Sequence, residues 1–315
     1  MMNSIHRRSL AALALASLPA AAHAQPVPTL DLLIGRGGPA AGAGVLDEAL
    51  CQALGQVRRG RVALRADGRA IPDTIAAPPD GSTLLLTDDI ATFFRPTTRA
   101  ILPDRMHDLV PVTMVFRFPS VLLAKVELGV SDLAALLRLA GREPDSVAVR
   151  VGPTLRSEGV AMALVESAAG VRFSLVDFGV RGRGSPPRWD LAVESPSAAT
   201  PRPPGGPALR PIAVTTPRRV ARLPTVPSFT ELGQPGFEAI GWWGVFAPPG
   251  TTPETCDGLH RDIARACALP AVRQAVAGWY AETPVMPPAE FAALLAQERP
   301  RITALAPRLR RSMLG

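Results

Sequence analysis

Apolar residues along this chain follow two rhythms, and each predicts its own element. From Leu30, "LDLLIGRGGPAAGAGVLDEALCQALGQ" runs an apolar stretch into a glycine-rich turn. It then places Val45, Leu46, Ala49, Leu50, Ala53 and Leu54 at helical spacing, ending at Gly55. Residues three and four apart share one helix face, so the segment predicts strand, glycine loop, helix. "RVALRAD" predicts a second strand, and the Asp-Gly turn of "TIAAPPDGSTLLLTD" precedes a third over 82–86. "DLVPVTMVFRFPSVLLAKV" holds two β-branched, extended runs parted by Pro119. "VSDLAALLRLAG" predicts a helix capped by Ser131 or Asp132 and closed by Gly141.

The grammar then repeats. "SVAVRVG" predicts a strand, "PTLRSEG" a loop, "VAMALVESAAG" a helix and "VRFSLVDF" another strand, with a short strand over 190–194 beyond. "SPSAATPRPPGGPA" is too rich in Pro, Ser and Gly for regular structure, and "LRPIAVTT" resumes as strand. Strands alternating with helices predict parallel sheets of the α/β class, built twice. Near the C-terminus, Thr252-Pro253-Glu254 offers a hydroxyl cap, a first-turn proline and a first-turn acid. That helix is expected to reach about Ala268, with Leu259, Ile263 and Ala266 facing inward. "LPAVRQAVAGW" predicts a second helix and "PPAEFAALLAQER" a third, which Pro300 is expected to kink or end.

The first residues change the picture of where such a chain works. "MMNSIHRRSLAALALASLPAAAHAQ" has a cationic start (Arg7, Arg8), an apolar run from Leu10 to Leu18 and the small-residue exit Ala22-His23-Ala24. This is the layout of a secretory signal peptide over residues 1–24, and it predicts the periplasm as destination. The run is too short for a membrane anchor, which needs about 20 apolar residues. The length that remains suits two cores better than one.

Charge and composition narrow the partners. The net charge is +7, and Lys125 is the only lysine among 34 cationic side chains. The arginines are scattered, and the single tyrosine leaves little for stacking bases, so nucleic acid is excluded as a partner. Cys51, Cys256 and Cys267 are expected as buried thiols. The latter two share a predicted helix but stand about 16 Å apart along it, beyond the roughly 7 Å that a disulfide spans. Outside the leader only His107 and His260 remain, with no ligand partner at helical spacing, so no metal site is expected. No G-x-S-x-G, H-E-x-x-H or P-loop occurs, so no catalytic residues, no cofactor and no enzymatic activity are expected.

The one chemically suggestive element is the glycine loop "GRGGPAAGAG" over 35–44. Glycines between a strand and a helix let backbone N–H groups converge on an anion, aided by the helix N-terminus. Pro39 and the spacing exclude a dinucleotide fingerprint.

The C-terminal third carries a resemblance. "AVTTPRR", "LPTVPSFTELGQPGFE", "GWWGVFAPPGTTPE", "LPAVRQAV" and "PAEFAALL" occur in order over about 90 residues. Together they closely resemble the Bug family, the TctC-like extracytoplasmic solute receptors of tripartite tricarboxylate transporters. The resemblance implies a two-lobed periplasmic-binding-protein fold of type II-like architecture. Each lobe would be a mixed, mainly parallel sheet with flanking helices, and the ligand cleft would lie between the lobes. Residues 25–124 would open lobe one, 125–239 would build lobe two, and 240–315 would return to complete lobe one. The crossings would lie near Leu122–Val126 and Ile240–Gly244.

The resemblance also implies a function. A monomeric receptor would capture a small carboxylate-bearing anion and deliver it to membrane permease subunits. The alternative is a degenerate two-lobed receptor acting as a signalling or protein-interaction module without transport. In relatives the anion is held by backbone N–H groups of one loop per lobe. Here the lobe-one loop departs from P-F-x-P-G-G-x-x-D, with Arg36 near the aromatic position beside Gly37 and Gly38. The lobe-two loop "VGPTLRSEGVAMAL" offers Thr154, Arg156 and Ser157 and lacks the family's histidine; "VDFGVRG" places Asp177 at the next strand end. Arg36 and Arg156 would either grip a carboxylate through bidentate pairs or mark a pocket that has drifted. Of the paired tryptophans, one ring is expected in hinge core and the other, assigned to Trp242, against the ligand.

Overall fold

The computed structural model describes residues 29–35, 43–66, 69–94, 105–151, 157–177, 188–199, 206–234 and 238–314. The expected signal peptide lies outside them. The described strands are β1 (Thr29–Ile34), β2 (Arg61–Arg65), β3 (Thr83–Asp88), β4 (Val110–Phe118), β5 (Val121–Lys125), β6 (Ala148–Val151), β7 (Ser174–Asp177), β8 (Leu191–Glu194), β9 (Leu209–Val214) and β10 (Gly241–Ala247). They form two five-stranded sheets, ordered β2-β1-β3-β10-β4 and β7-β6-β8-β5-β9.

The two orders obey one rule. In the first sheet β1 pairs in parallel with β2 and β3, and β10 lies antiparallel to both β3 and β4. In the second, β6 pairs in parallel with β7 and β8, and β5 lies antiparallel to both β8 and β9. In each sheet the reversed strand is the first one laid down after the chain changes sheets. The chain leaves the first sheet over Pro119 and Ser120 and returns just before Gly241. The expected first crossing, near Leu122–Val126, is thus β5 itself, a strand of the second sheet. Pro119 supplies the reason: it lacks an N–H and cannot extend the ladder of β4.

Helices cover both sheets. α1 (Ala43–Arg58), α5 (Pro253–Cys267) and α6 (Pro270–Gly278) pack on one face of the first sheet. There Leu46, Leu50, Leu54, Leu259 and Ile263 close over Leu30, Leu32, Leu84 and Val245. Thr252 caps α5 by accepting from the N–H of Thr255, with Pro253 in the first turn. Cys256 and Cys267 both lie buried on this helix, and all three cysteines are free thiols. Burial pushes Cys267 up to about 12, which leaves it unreactive.

α3 (Leu133–Arg142), capped by Asp132 through the N–H of Ala135, and α4 (Ser157–Ala169) pack against the second sheet. Two helical features depart from the sequence pattern. A short helix α2 (Ala70–Ala76) forms despite Pro72, because the proline falls in the first turn, where N–H groups have no helical acceptor. And α7 (Pro288–Leu314) does not end at Pro300. Phe291, Ile302 and Leu305 are buried on both sides of that proline, and their packing outweighs the lost hydrogen bond.

α7 also reaches further than expected. It lies against β4 of the first sheet and against α4 and β7 of the second, so it straps both. The apolar core on this side runs continuously from Leu33, Leu85 and Phe246 through Phe291 to Val149, Val160 and Leu191.

His260, on α5, carries a prediction. Its Nδ1 is buried without a hydrogen bond, and burial holds the imidazole below the ordinary histidine range; nearby Asp257 opposes this. The unfolded chain therefore binds the proton more readily. The His260 contribution to stability is expected to be level above about pH 6.5 and to fall as pH drops from there through the lowered folded value. Urea midpoints at pH 7.5 and 5.5 should show a drop that His260→Gln removes.

Candidate functional site

Parallel strands of open α/β sheets present ligand-binding loops at their C-terminal ends. Here β1 is followed directly by Gly35, whose N–H donates to the Leu86 carbonyl at 3.0 Å and whose own carbonyl accepts from Thr87 Oγ1 at 2.6 Å. A Cβ at residue 35 would lie 2.8 Å from Leu85 Cδ1 and 3.2 Å from Ile71 Cγ1, so a larger residue would have to displace the Leu85 side chain. β3 ends at Asp88, and Asp89 follows it, both buried, before a single π-helical turn over Ile90–Phe94. Asp88 Oδ1 accepts from the N–H of Ala91 at 2.8 Å, and Thr92 Oγ1 donates to the Asp88 carbonyl at 2.8 Å. These bonds hold the turn at the strand end and fix Asp89 beside it. In the second sheet, β6 ends at Val151 and α4 begins at Ser157.

Of the residues singled out from the sequence, Arg36, Gly37, Gly38, Thr154 and Arg156 lie outside the described residues. Ser157 is the first residue of α4 and Asp177 the last of β7. Trp242 is fully placed, and its neighbour answers for the other face. β10 is buried along its whole length, so successive side chains point into opposite cores. Trp243 packs with Phe116 and Phe118, ring centroids 5.7 and 5.0 Å away, beneath α1 and α5. Trp242 turns the other way, edge-on to Phe93 at 5.8 Å and to Phe291 at 5.4 Å.

Trp242 also walls a cavity of about 70 Å³ where the two sheets meet. Asp89, Phe93, Met114 and Arg117 line it from the first sheet, Val160 from α4, and Glu238, Ala239 and Ile240 from the returning segment. α7 closes it with Leu294, Glu298, Arg301 and Ile302. Its charged groups are cross-linked. Arg117 Nη2 donates to Glu238 Oε1 at 2.6 Å. Arg301 donates through Nη1 to both Glu298 oxygens, at 2.8 and 3.1 Å, and through Nη2 to the Glu238 carbonyl at 2.6 Å. Arg117 and Glu238 also border a shallower, polar concavity of about 330 Å³ with Thr216, Arg218, Arg219 and Glu282. The described residues contain no group of three or more His, Cys, Asp or Glu placed to hold a metal ion. None of their helices is long and apolar enough to cross a membrane.

Reading by segments did not point to Asp89, Arg117, Glu238 or Arg301. The acidic pair directly after "TLLLT" was the available signal, since it sits at the end of a parallel strand. Arg117 and Glu238 are 121 residues apart, and no local pattern joins them.

Comparison with known proteins agrees with this architecture. The family model of the tripartite tricarboxylate transporter family receptor, TctC, matches residues 66–308. A relative from Pseudomonas sp. (strain P51), described as a UPF0065 protein in the tcbD-tcbE intergenic region, is 32% identical over 212 residues. That match covers 64% of this chain and 61% of the relative, so the chain spans about three-fifths of that protein's length. The crystal structure of a TctC solute binding protein from Polaromonas, without ligand, superposes with a TM-score of 0.72 at 18% identity. It covers 89% of this chain and 98% of that one. MatC from Rhodopseudomonas palustris, with bound malate, superposes with a TM-score of 0.64 at 20% identity, over 89% and 99% of the two chains. These likenesses establish the two-lobed periplasmic-binding-protein fold, and with the family match over most of its length the chain belongs to the TctC family of tripartite tricarboxylate transporter receptors.

Proposed function

We propose that this receptor works in the periplasm, captures a small carboxylate-bearing solute between its lobes, and presents it to the membrane subunits of a tripartite tricarboxylate transporter. The observation that carries the reading is the cavity at the meeting of the sheets, walled by a strand end, by α4 and by the returning segment in a chain of this family. The malate held by MatC supports a carboxylate as the solute class. Such an anion can be satisfied by main-chain N–H groups without burying a full counter-charge, which keeps release possible. Closure of the lobes excludes water and gives the membrane partner a distinct form to recognise.

In this proposal the first lobe comprises 29–119 and 240–314, and the second 121–239. The residues that meet the solute are Arg36, Gly37, Gly38, Thr154, Arg156, Ser157, Asp177 and Trp242, in a monomer. The loops 36–42 and 152–156 would supply the amides, one from each lobe.

A thermal-shift panel of succinate, malate, adipate and uncharged sugars on the exported chain tests the reading. A ligand at a hundred times its Kd adds about 2.7 kcal/mol to stability. At least one carboxylate is expected to raise Tm saturably, the sugars to leave it unchanged, and Arg36→Ala with Arg156→Ala to abolish the rise. No shift with any organic acid, amino acids included, would overturn the proposal and favour the interaction module.

A further inference from the structure

Arg117 and Glu238 line both hollows where the sheets meet, the inner cavity beside Trp242 and the outer polar concavity of about 330 Å³. Their ion pair thus stands between the two. Two other arginines of these walls are firmly committed. Arg301 makes two bonds to Glu298 and a third to the Glu238 carbonyl. Arg219 makes two to Glu231, each at 3.0 Å, and a third to the Pro224 carbonyl. Arg117 makes one side-chain bond among the described residues, from Nη2 to a single oxygen of Glu238. The other donors of its guanidinium fork are uncommitted there.

The two partners are held differently. Arg117 is clamped on both sides through its backbone, paired with Trp242 of β10 and exchanging two 2.9 Å hydrogen bonds with Glu282. Its side chain therefore starts from a rigid base. Glu238 lies outside the helices and strands, and its side chain is 45% exposed against 27% for Arg117. Turning the glutamate out to water costs it little solvation. Arg117 left alone would be a partly buried charge with its donors unanswered. A carboxylate entering in place of Glu238 restores charge and hydrogen bond together, and Arg117 has the spare donors for a bidentate grip. One charged bond is exchanged for another, so the capture stays reversible.

The surroundings suit such an exchange. The concavity lies at the low end of small-molecule sites, which span about 300–1,000 Å³. In the division proposed above it lies between the lobes, with Arg117 and Glu282 from the first and residues 216–220 from the second. Its remaining charges, Arg218 and Glu282, offset one another, so neither sign of solute is barred from entry.

We infer that Glu238 is an internal stand-in for the solute's carboxylate, and that the solute is captured by displacing it from Arg117. This rests on the receptor reading above and deepens it: Arg117 joins the residues that recognise the solute, and Glu238 competes with the solute for it.

Calorimetric titration of succinate, malate and adipate into the unaltered protein, Glu238→Gln and Arg117→Gln tests the exchange. A pair with a merely structural role would weaken binding when either end is removed. A competitor gives opposite signs. Glu238→Gln is expected to bind at least one acid about fivefold or more tightly, because a neutral hydrogen bond holds arginine roughly half as strongly as a charged one. Arg117→Gln should bind the same acid about tenfold or more weakly, the loss of a charged hydrogen bond. Weaker binding by Glu238→Gln, or binding within about twofold of the unaltered protein, overturns this inference and leaves the carboxylate receptor standing. Arg117→Gln binding like the unaltered protein does the same. Failure of every acid to bind, to the unaltered protein and to Glu238→Gln alike, overturns both readings. The sign of the Glu238→Gln change decides the matter even if Arg117→Gln does not fold.

Discussion

Truncating Phe291 to alanine is expected to destabilise the fold by about 3–5 kcal/mol, the range for deleting a large aromatic from a closed core. Phe291 is fully buried, and it packs at 5.4 Å from both Trp242 and Phe246. It is the peg that fastens α7 to β10, and β10 carries a matching notch. A Cβ placed on Gly244 would stand 2.5 Å from Phe291 Cζ and 3.1 Å from the Trp242 ring. Gly244→Ala alone should therefore cost about 1–3 kcal/mol as overpacking. In the double variant the added methyl no longer meets the Phe291 ring and keeps only the looser approach to Trp242 at 3.1 Å, so the combined loss should fall short of the sum by about 1 kcal/mol or more. Urea denaturation followed by circular dichroism reads all three variants. Strict additivity would mean that peg and notch do not touch, and that α7 is held to the sheets by other contacts.

The second large effect separates the two tryptophans. Trp242→Ala and Trp243→Ala should each cost about 3–5 kcal/mol, since both rings are buried among aromatic neighbours. Stability alone does not distinguish them, but solute affinity is expected to. With the milder changes, Trp242→Phe is expected to alter solute affinity at least fivefold, because its ring walls the cavity. Trp243→Phe should stay within twofold, because its ring points beneath α1 and α5. Affinities for whichever acid shifts Tm supply the measurement. Equal effects from both would remove Trp242 from the binding wall.

Much of the fold is legible in the residue pattern, and particular elements show why. The run Leu30–Ile34 followed by helical spacing through Leu54 produces β1 and α1, since Leu30, Leu32 and Ile34 on one strand face and Leu46, Leu50, Ala53 and Leu54 on one helix face share a core, although Val45 stays exposed and Leu33 faces the opposite core. Thr252-Pro253-Glu254 starts α5 where it stands, because capping is a local hydrogen bond and needs no partner from elsewhere in the chain. α2 has no helical signature of its own in the residue pattern, because its sequence, "AIPDTIA", is short and contains Pro72. Whether Pro300 ends α7 is likewise not a local matter. Its cost is set against the burial of Phe291, Ile302 and Leu305, which depends on what the helix lies against.

The cavity is less legible for a related reason. Asp89 could be flagged from its place after "TLLLT", but its meaning depends on the residues opposite. Arg117 sits at the end of β4, Glu238 on the returning segment and Arg301 on α7, brought together by two sheet crossings and a strapping helix. Charges distant in sequence come to balance or oppose one another only once those elements are docked.

By itself the sequence determined the α/β class, the doubled strand–helix grammar, the capped C-terminal helices and the family landmarks, because periodicity and capping act between residues a few positions apart. Only the tertiary structure decided that each reversed strand inserts between third and fourth, that α7 spans both sheets, that Trp242 and not Trp243 meets the cavity, and that Arg117, Glu238 and Arg301 come together on its wall. Those outcomes turn on which faces pack together and on charges meeting across the fold, and neither is encoded in any short stretch of the chain.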